Sequence, residues 1–236
     1  MRTSGNTVLI TGGATGIGYS LARYLRDHDN TVIVCGRRED RLAQAEERLP
    51  GISTIRCDVT QPDERAALSR HVADSFPEIN VLVNNAGIQC DVDLRHGLGD
   101  HDTIAEEIST NLEAPIYLSV LFAPLLSGKD GATIVNVSSG LAFMADRAIG
   151  MPVYCATKAG LHAFTLAQRG QLAERGIAVV EMIPPAVVSE LNPEGRRRRG
   201  ATRSLPMMSA DDFVDQACDQ LARGVEEIRV AVPGRR

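Results

Sequence analysis

The stretch Thr7-Val8-Leu9-Ile10-Thr11-Gly12-Gly13-Ala14-Thr15-Gly16-Ile17-Gly18 decides the fold. A short apolar run, rich in Val and Ile, ends in a glycine loop, and the loop opens into a helical pattern with Leu21, Tyr24 and Leu25 on one face. Each glycine has a distinct physical use. Gly12 permits a tight turn, Gly16 lets backbone approach a diphosphate, and Gly18 lets the helix pack close to the strand. The helix N-terminus would then face an anion with free N–H groups and a favourable dipole. The spacing Gly-x-x-x-Gly-x-Gly differs from Gly-x-Gly-x-x-Gly, and a purely structural turn is its rival. Placed between a first strand and a helix, the loop points to dinucleotide binding.

Further continuous apolar blocks follow at Thr31–Cys35, Ser53–Cys57, Val81–Val83, Thr133–Val137, Ala178–Ile183 and Ile228–Val232. They do not alternate with polar residues, which is how strands covered on both faces read. Helical patterns lie between them, at Ile17–Asp27, Glu39–Leu49, from Pro62 onward, and near 102–126, 153–174 and 210–223. Regular alternation predicts an α/β protein: one Rossmann-type, doubly wound parallel sheet of about seven strands with helices on both faces. Residues 1–236 read as a single domain. The segment 190–208 has Gly, Pro and Arg but little periodicity, and is the candidate for a flexible substrate loop.

The net charge of −5 argues against a nucleic-acid surface, and the run Arg196–Arg199 reads as a solvated loop. Five cysteines, odd in number and without Cys-x-x-Cys spacing, fit neither a disulfide framework nor a metal site. No apolar stretch approaches the roughly 20 residues of a membrane span, and no secretory segment is visible. A cytoplasmic protein with reduced thiols is expected.

The second block ends at Cys35-Gly36 and continues into Arg37-Arg38, with no acid before Glu39. A carboxylate here would suit the ribose 2′-hydroxyl of NAD, whereas a guanidinium suits a 2′-phosphate. The pattern therefore favours NADP(H) over NAD(H), with Arg37 preferred to Arg38 as the phosphate partner.

Further along stand Cys57-Asp58-Val59, Asn84-Asn85-Ala86-Gly87, Asn111, Asn136-Val137-Ser138-Ser139 and Tyr154-Cys155-Ala156-Thr157-Lys158. With the glycine loop and in this order, they make the chain resemble the short-chain dehydrogenase/reductase family over nearly its whole length. Ser138 to Phe143, Pro152 to Lys158 and Pro184-Pro185-Ala186-Val187 also resemble a bacterial subgroup named after D-alanylation operons. The resemblance implies a catalytic set of Asn111, Ser139, Tyr154 and Lys158. It implies a cofactor set of Gly12, Thr15, Gly16, Ile17, Gly18, Arg37, Arg38, Asp58, Val59, Asn85, Ala86, Gly87, Tyr154, Lys158, Pro184, Val187 and Ser189, and no metal. Within it, Asp58 binds the adenine edge, Lys158 the nicotinamide ribose, and Ser189 the carboxamide. Asn111 holds a water through its backbone that connects Lys158 to solvent protons. Two departures stand out. The segment from Ser139 to Tyr154 is about two residues longer than usual, and Pro185 stands where a glycine is usual.

Tyr154 and Lys158 are four residues apart on one predicted helix and share a face. The ammonium, with a cationic nicotinamide, is expected to lower the tyrosine pKa from its ordinary value of about 10. Tyr154 then serves as general acid or base, and Ser139 binds the reacting oxygen. Ser138 is the alternative to Ser139, and His162 reads as packing or surface. Cys90 and Cys155 read as packing, while Phe143, Met144 and Met151 suit either an apolar pocket or the core. The expected partner is a small carbonyl or alcohol, and the resemblance implies a homodimer or homotetramer built on the helices near 102–126 and 153–174. Two rivals remain: a non-catalytic NADP(H) sensor or scaffold, and retained-cofactor chemistry on a nucleotide sugar.

Overall fold

The structure, a computed structural model, describes residues 1–96, 101–192 and 207–231. The Arg196–Arg199 run, most of the 190–208 segment and the end of the last apolar block fall outside them. Seven parallel strands, β1 (Thr7–Thr11), β2 (Thr31–Gly36), β3 (Ser53–Arg56), β4 (Ile79–Asn84), β5 (Thr133–Val137), β6 (Ala178–Ile183) and β7 (Glu227–Arg229), form one sheet in the order β3-β2-β1-β4-β5-β6-β7. Helices α1 (Gly16–Asp27), α2 (Glu39–Arg48), α3 (Pro62–Ser75), α4 (His101–Ile108), α5 (Ala114–Leu126), α6 (Pro152–Ala173) and α7 (Ala210–Ala222) accompany them. The strand order reverses between β1 and β4, and a crevice opens there beyond the strands' carboxyl ends.

In the central strands the apolar runs do not alternate because both faces are covered, while the edge strands β3 and β7 are only partly buried. In β1, Val8 and Ile10 join a core with Leu21 and Leu25 of α1, Leu42 of α2 and Phe213 of α7. Leu9 points the other way, into a second core with Leu68 and Val72 of α3 and Leu118 and Phe122 of α5. One strand therefore supplies both layers. Among the described residues, no helix is long and apolar enough to cross a membrane.

The helix expected near 102–126 is not continuous. Between α4 and α5, Ser109–Glu113 form a π-helical turn, with the Ala114 N–H reaching back five residues to the Ser109 carbonyl. Pro115 follows in the first turn of α5. It has no N–H to close an α-helical bond to the Asn111 carbonyl. The break thus falls at the one polar residue that the sequence singles out in this region.

Candidate active site

The crevice holds a cavity of about 370 Å³ that runs from Arg37, Arg38 and Asp58 past the glycine loop to Tyr154 and Lys158. Its size lies within the range of small-molecule sites. Gly12 and Gly16 have φ of +64° and +57°, so both turns demand glycine. A Cβ on Gly18 would collide with the Gly12 carbonyl oxygen and come within 2.5 Å of Asn85 Nδ2. Asn85 in turn donates to the carbonyls of Thr11 at 2.9 Å and Gly12 at 3.1 Å, tying the end of β4 to the loop. Helix α1 starts at this loop with Thr15 as its N-cap, which makes no side-chain cap bond, and with no acid in the first turn. Its N-terminal N–H groups keep their anion-binding capacity. These features fit a dinucleotide diphosphate.

At the other end of the cavity, each guanidinium already has an acid partner that the local sequence does not reveal. Arg37 pairs with Glu106 of α4. Arg38 and Arg41 lie 3.5 and 3.4 Å from Glu190, which follows β6. Asp58 closes its own turn, accepting from Thr60 N at 3.0 Å and Thr60 Oγ1 at 2.8 Å.

The expected residues divide by position. Gly12, Thr15, Gly16, Ile17, Arg37, Arg38, Asp58, Val59, Asn85, Ala86, Gly87, Tyr154, Lys158, Pro184 and Ser189 line the cavity. Gly18 lies beneath the loop, at the strand–helix contact. The Val187 side chain is buried in the core, and its backbone bridges to Met208. Pro185 leaves the strand end intact, because the Gly140 N–H bonds the Pro184 carbonyl at 3.0 Å.

Tyr154 and Lys158 lie on the first turns of α6 and are both buried, at 6% and 4% exposure. Lys158 Nζ donates to the Val137 carbonyl at 2.9 Å and stands 5.9 Å from the Tyr154 ring centre. Burial lowers the Lys158 pKa to about 8, against the attraction of Glu107. Tyr154 corrects the sequence expectation. Burial pushes its phenol up to about 12, the Ser139 hydroxyl pulls it back, and Glu107 and Cys155 add to the rise. Desolvation of the phenolate outweighs the help expected from the lysine.

The two serines are also distinguished. Ser138 Oγ donates to the fully buried Glu181 at 2.5 Å, and His162 Nδ1 sits 2.7 Å from that same carboxylate. Ser139 Oγ accepts from Leu141 N at 3.1 Å and acts on Tyr154. His162 is therefore held in a partly buried polar contact. The Phe143 ring rests edge-on against it at 4.7 Å and under Arg229 at 4.3 Å, outside the cavity. Asn111 is fully buried, and its side chain accepts from Ile88 N and donates to Ile88 O, each at 2.8 Å. Sequence reasoning missed Glu106, Glu107, Glu181 and Glu190 here.

Comparison with known proteins gives the site a context. The short chain dehydrogenase family model matches residues 6–200. A protein of Bacillus subtilis (strain 168), the uncharacterized oxidoreductase DltE, is 45% identical over 228 residues, spanning 97% of this chain and 89% of the relative. The 3-oxoacyl-[acyl-carrier-protein] reductase FabG of Staphylococcus aureus (strain Mu50 / ATCC 700699) is 32% identical over 191 residues, 78% of this chain and 76% of its own length. A short-chain dehydrogenase from Sphingobium yanoikuyae, solved in complex with NADPH, superposes with a TM-score of 0.83 at 26% identity, over 94% of this chain and 86% of that one. At 20% identity, a short-chain dehydrogenase/reductase from Burkholderia phymatum, in complex with NAD, shares the fold, with a TM-score of 0.84 over 97% of this chain and 89% of its own.

Proposed function

The chain belongs to the short-chain dehydrogenase/reductase family of oxidoreductases, and within it we propose an NADP(H)-dependent enzyme that moves a hydride between the nicotinamide and a carbonyl or secondary-alcohol carbon of a small molecule. The observation that carries this reading is one cavity with a glycine-loop helix N-terminus in its middle, two arginines at one end, and buried Tyr154 and Lys158 at the other.

Bound NADP(H) would supply the hydride donor or acceptor, and the protein positions and polarises. The helix N-terminus at Gly16 would face the diphosphate, and Asp58 and Val59 the adenine. Asn85, Ala86 and Gly87 support the loop, and Pro184, Val187 and Ser189 flank the nicotinamide end. Tyr154, whose phenol keeps its proton at neutral pH, donates it to the substrate oxygen during reduction and takes it back during oxidation. Ser139 hydrogen-bonds that oxygen as its charge develops. Lys158 holds the nicotinamide ribose and places positive charge beside the phenol. Asn111, at the π-turn, links Lys158 to solvent protons through its backbone. The presence of all four residues supports an enzyme over a non-catalytic sensor.

Association into a homodimer or homotetramer belongs to the same proposal. It is supported by Tyr117 and Val120 on α5 and Leu166 on α6, which are 48%, 64% and 47% exposed. A cytoplasmic location is supported by five cysteines, odd in number and without Cys-x-x-Cys spacing.

Cofactor choice tests the arginine end. A panel of ketones, aldehydes and alcohols assayed with NADPH and NADH is expected to give turnover with a preference for NADPH. Charge-assisted hydrogen bonds contribute about 1.5–3 kcal/mol each, so Arg37→Ala is expected to lower kcat/KM for NADPH roughly tenfold or more. NADH turnover should stay nearly constant. Equal losses with both cofactors, or a wild-type preference for NADH, would contradict the assignment of the 2′-phosphate.

A further inference from the structure

Three successive residues at the end of β5 are tied to α6. Asn136 Nδ2 donates to Thr165 Oγ1 and Gln168 Oε1, both at 2.9 Å. The Val137 carbonyl accepts from Lys158 Nζ at 2.9 Å. Ser138 reaches the helix through an intermediary. Its Oγ donates to Glu181 Oε1 at 2.5 Å, and the other oxygen of that carboxylate meets His162 Nδ1 at 2.7 Å. Glu181 stands on β6 in register with Asn136, and its side chain is fully buried. It therefore joins three elements, β5, β6 and α6, by hydrogen bonds to both of its oxygens.

His162 extends this contact to the far side of Ser139. The Phe143 ring packs edge-on against the imidazole, with centres 4.7 Å apart. Phe143 ends the short turn Gly140–Phe143 that follows Ser139. Glu181 and His162 thus hold the chain at Ser138, before Ser139, and at Phe143, after it. Tyr154 lies on the same helix as His162, two turns earlier. Stability alone does not call for an acid at this point, because exchanging a buried charged contact for apolar groups of like volume is often neutral or stabilising. What two hydrogen bonds add over an apolar contact is direction.

We propose that Glu181 is a positioning residue: through Ser138 and His162 it fixes Ser139 relative to Tyr154, the two hydroxyls that flank the reacting oxygen. The consequence for turnover rests on the oxidoreductase reading, while the hold on the Ser139 segment does not.

Two readouts test it. Hydrogen exchange followed by mass spectrometry reports on the amides of Gly140, Leu141 and Ala142, which bond the Pro184 carbonyl, Ser139 Oγ and the Ser139 carbonyl. In Glu181→Met, which fills the space without hydrogen bonds, exchange over 138–143 is expected to rise roughly fivefold or more, as the loss of about one net hydrogen bond implies. Exchange over β1 and β4 should stay as in wild type. Ser138→Ala is expected to give the same local pattern. In NADPH-dependent turnover of the carbonyl panel, kcat is expected to fall roughly 10²-fold in Glu181→Met, the scale of a misplacement of about 1 Å, with NADPH affinity near wild type. Glu181→Gln keeps an oxygen for Ser138 and an N–H for an unprotonated Nδ1, and is expected to restore most of kcat. Exchange that rises evenly over the whole sheet, or not at all over 138–143, overturns the proposal. So does a wild-type kcat in Glu181→Met, or a Glu181→Gln variant as slow as Glu181→Met. If Glu181→Met does not fold, Ser138→Ala decides by the same two readouts. Should wild type turn over no carbonyl, the oxidoreductase reading fails, and the exchange pattern alone decides the role of Glu181.

Discussion

Tyr154→Phe is expected to lower kcat for carbonyl reduction by roughly 10²–10⁴-fold, the range that general acid–base catalysis contributes. Binding of NADPH should remain close to wild type, because the ring is kept and only the hydroxyl is lost. The size of the effect follows from burial. Tyr154 is 6% exposed, so water has little access to act as substitute donor at the same point. The phenol, held near 12 by desolvation, is protonated across the neutral range and available as an acid. Oxidation needs the phenolate, and its rate should rise with pH more steeply than that of reduction. Steady-state kinetics in both directions, with NADPH fluorescence titration alongside, check the prediction. Unchanged turnover in the variant would remove Tyr154 from the mechanism.

Gly18→Ala is expected to damage both stability and cofactor binding. The added methyl would meet the Gly12 carbonyl oxygen and Asn85 Nδ2, and these two groups are bonded to each other. Neither is the loose end of a flexible chain, so the loop or helix α1 must shift. Overpacking of this kind costs about 1–3 kcal/mol. The shift also moves the helix N-terminus that faces the diphosphate, so NADPH affinity should fall by roughly tenfold or more, about 1.4 kcal/mol. Gly170→Ala is the control. Gly170 lies within α6, and a Cβ there meets nothing within 4 Å. Removing backbone freedom from a helix interior stabilises by about 0.5–1 kcal/mol. Thermal melts and NADPH titrations should therefore separate the two variants in opposite directions.

Much of this architecture is legible in the chain itself. The run Thr133–Val137 reads correctly as a strand buried on both faces, whereas the edge strands β3 and β7 are only partly buried. In the glycine loop, Gly12 turns with positive φ and Gly18 sits tight against the strand end, the two local demands that the spacing implied. Sequence patterns failed where a property depends on what faces a residue across the fold. Glu106 and Glu107 are neighbours in the chain, yet one pairs with Arg37 near the surface and the other is sealed beside α6. No periodicity separates them. Tyr154 and Lys158 were placed on one face by their spacing, but spacing carries no information on desolvation, and so the direction of the tyrosine shift was misread. Pro115 was visible, but a proline in a long apolar pattern did not by itself mark the π-turn at Asn111.

The central claim is hydride transfer between nicotinamide and a carbonyl carbon under the control of Tyr154 and Lys158. Its most direct test uses NADPH carrying deuterium at the nicotinamide C4 position, with a ketone from the panel that the wild-type protein reduces, and mass analysis of the alcohol formed. The account predicts deuterium on the carbinol carbon in wild type, and product formation reduced to the background rate in Tyr154→Phe. Product with no deuterium from either cofactor face would contradict it, as would label transfer at the wild-type rate without the tyrosine hydroxyl.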